Sequence, residues 1–388
     1  MRIVCFGTYD LDKPRNRLMI AALRGLGHEV TEIHAPVWDG VADKSQVKGL
    51  LAKGRFAARW LAAYPGLIRR WRAYGRAHGA PDLAVVGYLG HLDVLVLRRI
   101  ARDTPIIWDA FLSIYDTVVR DRKMVGPSHP IAKLLFRWER AACRAADRVV
   151  LDTDAHGEMF ADLYGFDPAK LGTVPVGAEL SAFPRQPPRP PVADGARPKA
   201  LFYGQFIPLH GIGTIIEAAR LAPEIDWQII GKGQEAARIE ADLTAHPVKS
   251  LTWTPWVNYA DLKSHIAAAD VCLGIFGTSE KAARVIPNKV YQILASGRPL
   301  VTRDGPAAQD FFGPGGIAGV RTVAPGDPNA LAAAIRDLAG SAEVPPAEMT
   351  RLFDPAALAE AVARIVSDTL APPDKAISAH FPDTISNR

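Results

Sequence analysis

The sequence predicts an α/β protein built of two doubly wound domains that face each other across a cleft. Short β-branched runs alternate with helical patterns through the first half, the rhythm breaks at a proline-dense stretch from Phe183 to Lys199, and it then restarts. A chain of 388 residues suits two domains better than one. Hydrophobic residues at 48% and charged residues at 22% are enough for two packed cores and exclude disordered or collagen-like chains.

Taken in order, Arg2 to Gly7 reads as a buried strand. Pro14 to Leu26 reads as a helix, with proline in its first turn and Gly27 as its stop. Glu29 to His34 is a second strand, and further strands are expected at Leu83 to Gly87, Pro105 to Asp109, Arg148 to Leu151 and Gly172 to Val176, with helices between. Pro184, Pro187, Pro188, Pro190, Pro191 and Pro198 exclude a helix or central strand and predict a semi-rigid linker acting as a hinge. Beyond it come strand Ala200 to Gly204, helix Gly211 to Leu221, strand Trp227 to Gly231 and helix Gln234 to Leu243. The rhythm continues through Ser250 to Trp253, Tyr259 to Ala269, Val271 to Ile275, Asn288 to Ser296 and Pro299 to Thr302. The expected domains are residues 1–182 and 200–354, joined by 183–199. A helix over 355–370 is expected to pack back on the first domain, and the aperiodic tail 371–388 to be flexible.

Cys5, Cys143 and Cys272 lie far apart without metal-ligand spacing, which fits a reducing cytosol. Apolar stretches such as Leu83 to Tyr88 end well short of the roughly 18 residues of a spanning helix, and the opening segment is too short for a secretory signal. A soluble cytoplasmic protein is expected. The net charge of +5 is unevenly placed. No acidic residue occurs from Lys44 to Pro81, where Lys44, Lys48, Lys53, Arg55, Arg59, Arg69, Arg70, Arg72 and Arg76 alternate with Phe56, Trp60, Leu61, Tyr64, Leu67, Ile68, Trp71 and Tyr74. Such a helix can rest on an anionic bilayer, so Arg69, Arg70, Trp71, Arg72 and Arg76 are the expected contacts at the inner face of the cytoplasmic membrane. A solvated surface helix with core aromatics is the alternative; membrane contact is favoured over nucleic acid.

In open α/β sheets ligands sit beyond the carboxyl ends of the strands, at loops and helix N-termini. Two loops of the second half have that place: Gly204-Gln205 through His210-Gly211, and Gly231-Lys232-Gly233. A sharper segment runs from Ile286 to Val301. Pro287 opens a helix that puts Asn288 and Gln292 one turn apart, with Lys289 beside them, and Gly297 ends it. In the first half, the loop Gly7 to Arg17 carries Thr8, Asp10, Arg15 and Arg17 at a helix start, an arrangement suited to a phosphate. Asp109, at a strand's carboxyl end, is a candidate general base or hydroxyl ligand, with His91 a second cleft candidate. No Gly-x-Gly-x-x-Gly follows the first strand and no Gly-x4-Gly-Lys-Ser/Thr loop occurs, which disfavours dehydrogenases and P-loop kinases.

Together these segments resemble the retaining glycosyltransferases of the GT-B fold, group 1, family 4, whose plan is two Rossmann-like domains. The family pattern reads Gly-Arg, five residues to Lys-Gly, then Gly-x-Gly, then Glu-x7-Glu and Ala-x-Gly-x-Pro-Val. Here Gln205 replaces the arginine, His210 the lysine, Arg284 the first glutamate and Gln292 the second, while Ala295, Gly297 and Pro299 are kept. Phe111 stands where family members often carry histidine. The resemblance implies a donor nucleoside-diphosphate sugar held by the second domain, with Gln292 on the ribose. Lys289 and Arg284, beside Lys281, would replace the missing diphosphate cations. It further implies transfer with retention, and neither metal nor other cofactor is expected. The basic segment suggests a lipid-linked or polysaccharide acceptor of the cell envelope, held by the first domain. Two alternatives stay open: a nucleotide-sugar 2-epimerase, and a catalytically silent GT-B subunit that binds nucleotide sugar or a partner.

Overall fold

The structure, a computed structural model, describes residues 1–39, 50–193 and 195–371. Lys44, Lys48 and the tail beyond Ala371 lie outside the described residues. The first sheet holds β1 (Arg2–Gly7), β2 (Glu29–His34), β3 (Leu83–Val86), β4 (Ile106–Asp109), β5 (Arg148–Leu151) and β6 (Leu171–Thr173). Their order is β2-β1-β3-β4-β5-β6, and every neighbouring pair is parallel. The connecting helices are α1 (Pro14–Gly25), α2 (Leu50–Ala62), α3 (Tyr64–His78), α4 (His91–Ile100), α5 (Pro130–Ala145) and α6 (Asp154–Tyr164). A π-helical turn, Asp116–Asp121, interrupts the path from β4 to α5.

The second sheet holds β7 (Lys199–Tyr203), β8 (Asp226–Ile230), β9 (Leu251–Thr254), β10 (Val271–Leu273), β11 (Leu300–Arg303) and β12 (Val320–Val323), in the order β12-β11-β10-β7-β8-β9, again all parallel. Its helices are α7 (Ile212–Leu221), α8 (Ala236–Ala245), α9 (Leu262–Ala268), α10 (Glu280–Arg284), α11 (Asn288–Ser296), α12 (Pro306–Phe312) and α13 (Pro328–Ala339). A last helix, α14 (Pro355–Leu370), is capped by Asp354, whose side chain accepts from the Ala357 N–H at 2.8 Å.

Parallel strands are buried on both faces, which is why they read as apolar runs rather than as alternation. In the first domain one face packs on α3, α4, α5 and α6 through Phe6, Trp71, Val94, Trp108 and Phe160. The other packs on α1 and α14, where Leu358, Val362, Ile365 and Val366 cover Ile3, Cys5, Val85, Ile107 and Val150. The chain therefore returns from the second domain to complete the first.

The proline-rich segment has a different role from a free hinge. It is bonded along the second domain: Gln186 N–H to the Ser296 carbonyl at 2.9 Å, Val192 N–H to that of Ala339 at 2.8 Å, and Arg189 to Asp270 at 2.9 Å. Proline's fixed φ keeps such a strap extended without a sheet partner.

The Arg15–Asp109 pair joins α1 to the end of β4. Arg15 Nε and Nη2 meet the two carboxylate oxygens at 2.8 and 2.9 Å, and Nη1 donates to the carbonyls of Val174 and Pro175 at 2.6 and 2.9 Å. Both side chains are buried. Removing one partner strands the other charge away from water. Asp109→Leu should lower stability to urea by about 3–5 kcal/mol, and the added change Arg15→Met should restore part of it. Equal stability of the single variant and wild type would show that the pair carries no structural load.

Candidate active site

The carboxyl ends of β7 and β8 and the start of α11 converge on the cleft. Gly204 leaves β7 at φ +147°, and a Cβ there would lie 2.8 Å from Lys289 Nζ. Gly231 leaves β8 at φ +151°, where a Cβ would meet the Gly204 carbonyl oxygen at 1.8 Å. Glycine is thus required by the close approach of the two loops to each other and to the lysine. Gly211 and Gly233 likewise pack against backbone, of Phe276 and Phe206 respectively.

A cavity of about 430 Å³ opens there, lined from the second domain by Gln205, His210, Lys281, Asn288, Lys289 and Gln292 among others. Lys289 is only 5% exposed and its ammonium stands 3.8 Å from the centre of the Phe202 ring. Among the described residues its Nζ has no hydrogen-bond partner. Burial pushes its pKa well below the usual lysine range. His210 Nδ1 bonds the Gln205 carbonyl, and burial together with Lys289 drives its pKa well below the usual value. Gln292 accepts from the Tyr203 hydroxyl at 3.0 Å and its amide donates to the Tyr259 hydroxyl. Asn288 and Gln205 are exposed at the rim.

Lys281 was named in the sequence only as a neighbour, yet it is the second cation of the cavity. It is 8% exposed, donates to Thr117 Oγ1 in the first domain, and has its pKa lowered by burial against the pull of Asp116 and Asp121. Arg284 does not line the cavity: its guanidinium turns back one helical turn to Glu280 at 2.9 Å. An adjoining hollow of about 200 Å³ is bounded by Gly204, Gln205, Gly231, Lys232, Pro255, Trp256 and Val257 among others. Trp256 is 68% exposed and holds Lys232 Nζ 5.3 Å from its ring centre, offering a flat apolar surface beside the cavity of Lys289. Gly233 lies outside both linings.

Several expected residues serve the fold instead. Asp109 has both oxygens on Arg15, so neither is placed to act on a substrate. His91 is fully buried against Trp108 and Trp138, with Nε2 2.9 Å from Glu139. Glu139 also accepts from Ser113, Tyr164 and the N–H groups of Ile114 and Tyr115. Burial works to raise its pKa, but the bonds from His91, Tyr164 and Tyr115 win and hold it below the usual carboxylate range. Thr8 is bonded to Asp93 and to the Trp60 indole, Asp10 is buried and accepts from the Asp12 N–H, and Arg17 pairs with Glu179 at 2.7 Å. The phosphate site expected at the start of α1 is therefore filled by the protein's own groups. Trp71 packs edge-on against Phe6 at 5.8 Å inside the core, while Arg69, Arg70, Arg72 and Arg76 are exposed. Tyr64, Leu67 and Tyr74 are buried with it, so the aromatics of α3 belong to the core.

Residues 197–341 match a family model described as glycosyl transferases group 1, and residues 16–182 match one described as Glycosyltransferase Family 4. The chain belongs to the group 1 glycosyltransferases of the GT-B fold. A D-inositol 3-phosphate glycosyltransferase of Kineococcus radiotolerans is 31% identical over 227 residues, covering 52% of this chain and 51% of that protein. The Mycobacterium tuberculosis protein of the same name is 24% identical over 200 residues, covering 46% and 40%. The chain thus spans about half the length, or less, of these curated relatives. Among solved structures, sucrose-phosphate synthase from Thermosynechococcus elongatus has a TM-score of 0.65 at 16% identity, covering 95% of this chain and 98% of that one. Anabaena HepE in complex with UDP and glucose has a TM-score of 0.62 at 16% identity, covering 95% and 99%. At that identity the likeness is one of fold.

Lys289 yields a stability prediction. Its folded pKa lies below its unfolded one, so unfolding takes up a proton in the window between them and stability rises with pH there. Lys289→Met should be more stable than wild type by about 1 kcal/mol or more at neutral pH, with a flatter rise toward alkaline pH. Urea titrations at several pH values check this; a destabilised variant with an unchanged pH slope would refute it.

Proposed function

We propose that the protein transfers a glycosyl group from a nucleoside-diphosphate sugar to a hydroxyl acceptor, with retention of anomeric configuration. The observation that carries the reading is Lys289: a buried amine without a hydrogen-bond partner among the described residues, at the start of a helix, facing the interdomain cavity. A diphosphate there gains the lysine, Lys281 and the positive end of α11. The bond from the anomeric carbon to the diphosphate oxygen breaks as negative charge grows on that oxygen, and these groups stabilise the charge. The acceptor oxygen bonds to the same face of the sugar, and its proton passes to the leaving diphosphate. The exposed face of Trp256 suits a nucleobase, with the ribose near Gln292.

No metal is assigned a step, because side-chain cations occupy the place where charge develops. Asp152 is the sole carboxylate among the described residues lining the cavity of about 430 Å³ that holds Lys289, which supports transfer over 2-epimerisation. The silent-subunit reading keeps one supporting observation: Arg284 and Gln292 stand where the family pattern has glutamates. A lipid-linked or polysaccharide acceptor at the cytoplasmic membrane surface is supported by the exposed Arg69, Arg72 and Arg76 on α3. No helix among the described residues is long and apolar enough to cross a membrane.

The purified chain, given UDP- and GDP-sugars with EDTA present, should release nucleoside diphosphate, faster when a saccharide or lipid-linked acceptor is added. Binding without any turnover would favour the silent subunit. Replacing Arg69, Arg72 and Arg76 by Gln should reduce flotation with anionic liposomes; undiminished flotation would remove the membrane from the account.

A further inference from the structure

The first domain gives the cavity a wall of Phe111, Leu112, Asp152, His156 and Val176. Most of that wall is apolar. Asp152 follows the end of β5, and His156 stands four residues on, in the first turn of α6. Between them Thr153 caps α6: its Oγ1 accepts from the His156 N–H at 3.1 Å and donates to the Arg284 carbonyl in the second domain. The helix start that carries the ring is therefore fixed from both sides of the cleft.

His156 Nδ1 lies 2.6 Å from Asp152 Oδ1, and the ring packs edge-on against Phe160 at 5.5 Å. The side chain is 1% exposed, and among the described residues Nε2 has no hydrogen-bond partner. An ionised carboxylate only accepts, so in the neutral ring Nδ1 carries the hydrogen and Nε2 presents a lone pair. Buried acceptors are seldom left unmatched, and this one belongs to a residue that lines the same cavity as Lys289.

We propose that His156 Nε2 accepts a hydrogen bond from a hydroxyl of the donor's glycosyl group, with Asp152 as the positioning residue that fixes the ring's tautomer. This rests on the nucleotide-sugar reading above. The diphosphate is drawn to Lys289 and the start of α11, and the base to the Trp256 side. The sugar is the part left to meet the first domain's wall, where His156 supplies the unmatched acceptor. The contact would distinguish a sugar nucleotide from its parent nucleotide.

Calorimetry tests this with whichever of UDP-glucose, UDP-galactose, UDP-N-acetylglucosamine and GDP-mannose most raises the melting temperature, alongside the parent UDP or GDP. His156→Leu should weaken the sugar nucleotide about tenfold or more while leaving the parent diphosphate within about twofold. His156→Gln, whose amide oxygen can accept, should lose less, and it serves if the leucine variant fails to fold. In Asp152→Asn, nitrogen-15 NMR of the His156 ring should show the Nε2–H tautomer gaining population, with the same selective loss of sugar-nucleotide affinity. Equal losses for both ligands, or none, would overturn the proposal. If no sugar nucleotide binds the wild type, the donor reading itself fails and this contact falls with it.

Discussion

A lysine amine removed from water and left without a partner among the described residues is the constraint around which the second domain's loops are arranged. Lys289 lies over Phe202, fills the space a Cβ of Gly204 would need, and lowers the proton affinity of His210. Burial of an unpaired charge opposes folding, and the molecule responds by holding the amine's pKa down. The groups are arranged for charge that arrives with a ligand. On the reading proposed above, a diphosphate would restore charge to groups already fixed in place, so little reorganisation would be needed as its bond to the sugar breaks.

The first domain shows the opposite arrangement, with its charges already matched. Arg15 and Asp109 bind each other, Thr8 is held by Asp93, and Glu139 gathers His91, Ser113 and Tyr164. These networks fix the ends of β1 and β4 and the turn that follows. They leave His156 as the polar side chain on the cleft wall with an unmatched nitrogen among the described residues. The two domains thus divide the work: one offers unmet positive charge, the other a largely apolar wall with one directed acceptor.

The strand rhythm was legible because parallel strands buried on both faces leave apolar runs that punctuation delimits. β2, β5, α11 and α14 have the bounds the sequence predicts. β12, α12 and α13 were missed: the alanine-rich run from Asn329 to Ala339 and the short strand before it offer little contrast between apolar and polar positions. That Lys289, Gln292, Gln205 and His210 share one cavity was legible because glycine punctuation and helix spacing place them locally at strand and helix ends. Asp109, Arg15 and His91 were misread because sequence shows a residue type at a strand end but not the long-range partner that satisfies it. Asp109 and Arg15 are 94 positions apart. His156 was hidden inside a capping motif, although its spacing four residues after Asp152 was a usable signal.

The central claim, that Lys289 waits for a phosphate, is tested most directly by the protons exchanged on binding. Calorimetry of UDP or GDP binding at several pH values from neutral into the alkaline range, repeated in buffers of different ionisation enthalpy, measures that exchange. The account predicts net proton uptake, as an anion restores charge to the amine, and a loss of both uptake and affinity in Lys289→Met. Binding of equal strength to both proteins, with no proton taken up, would contradict it.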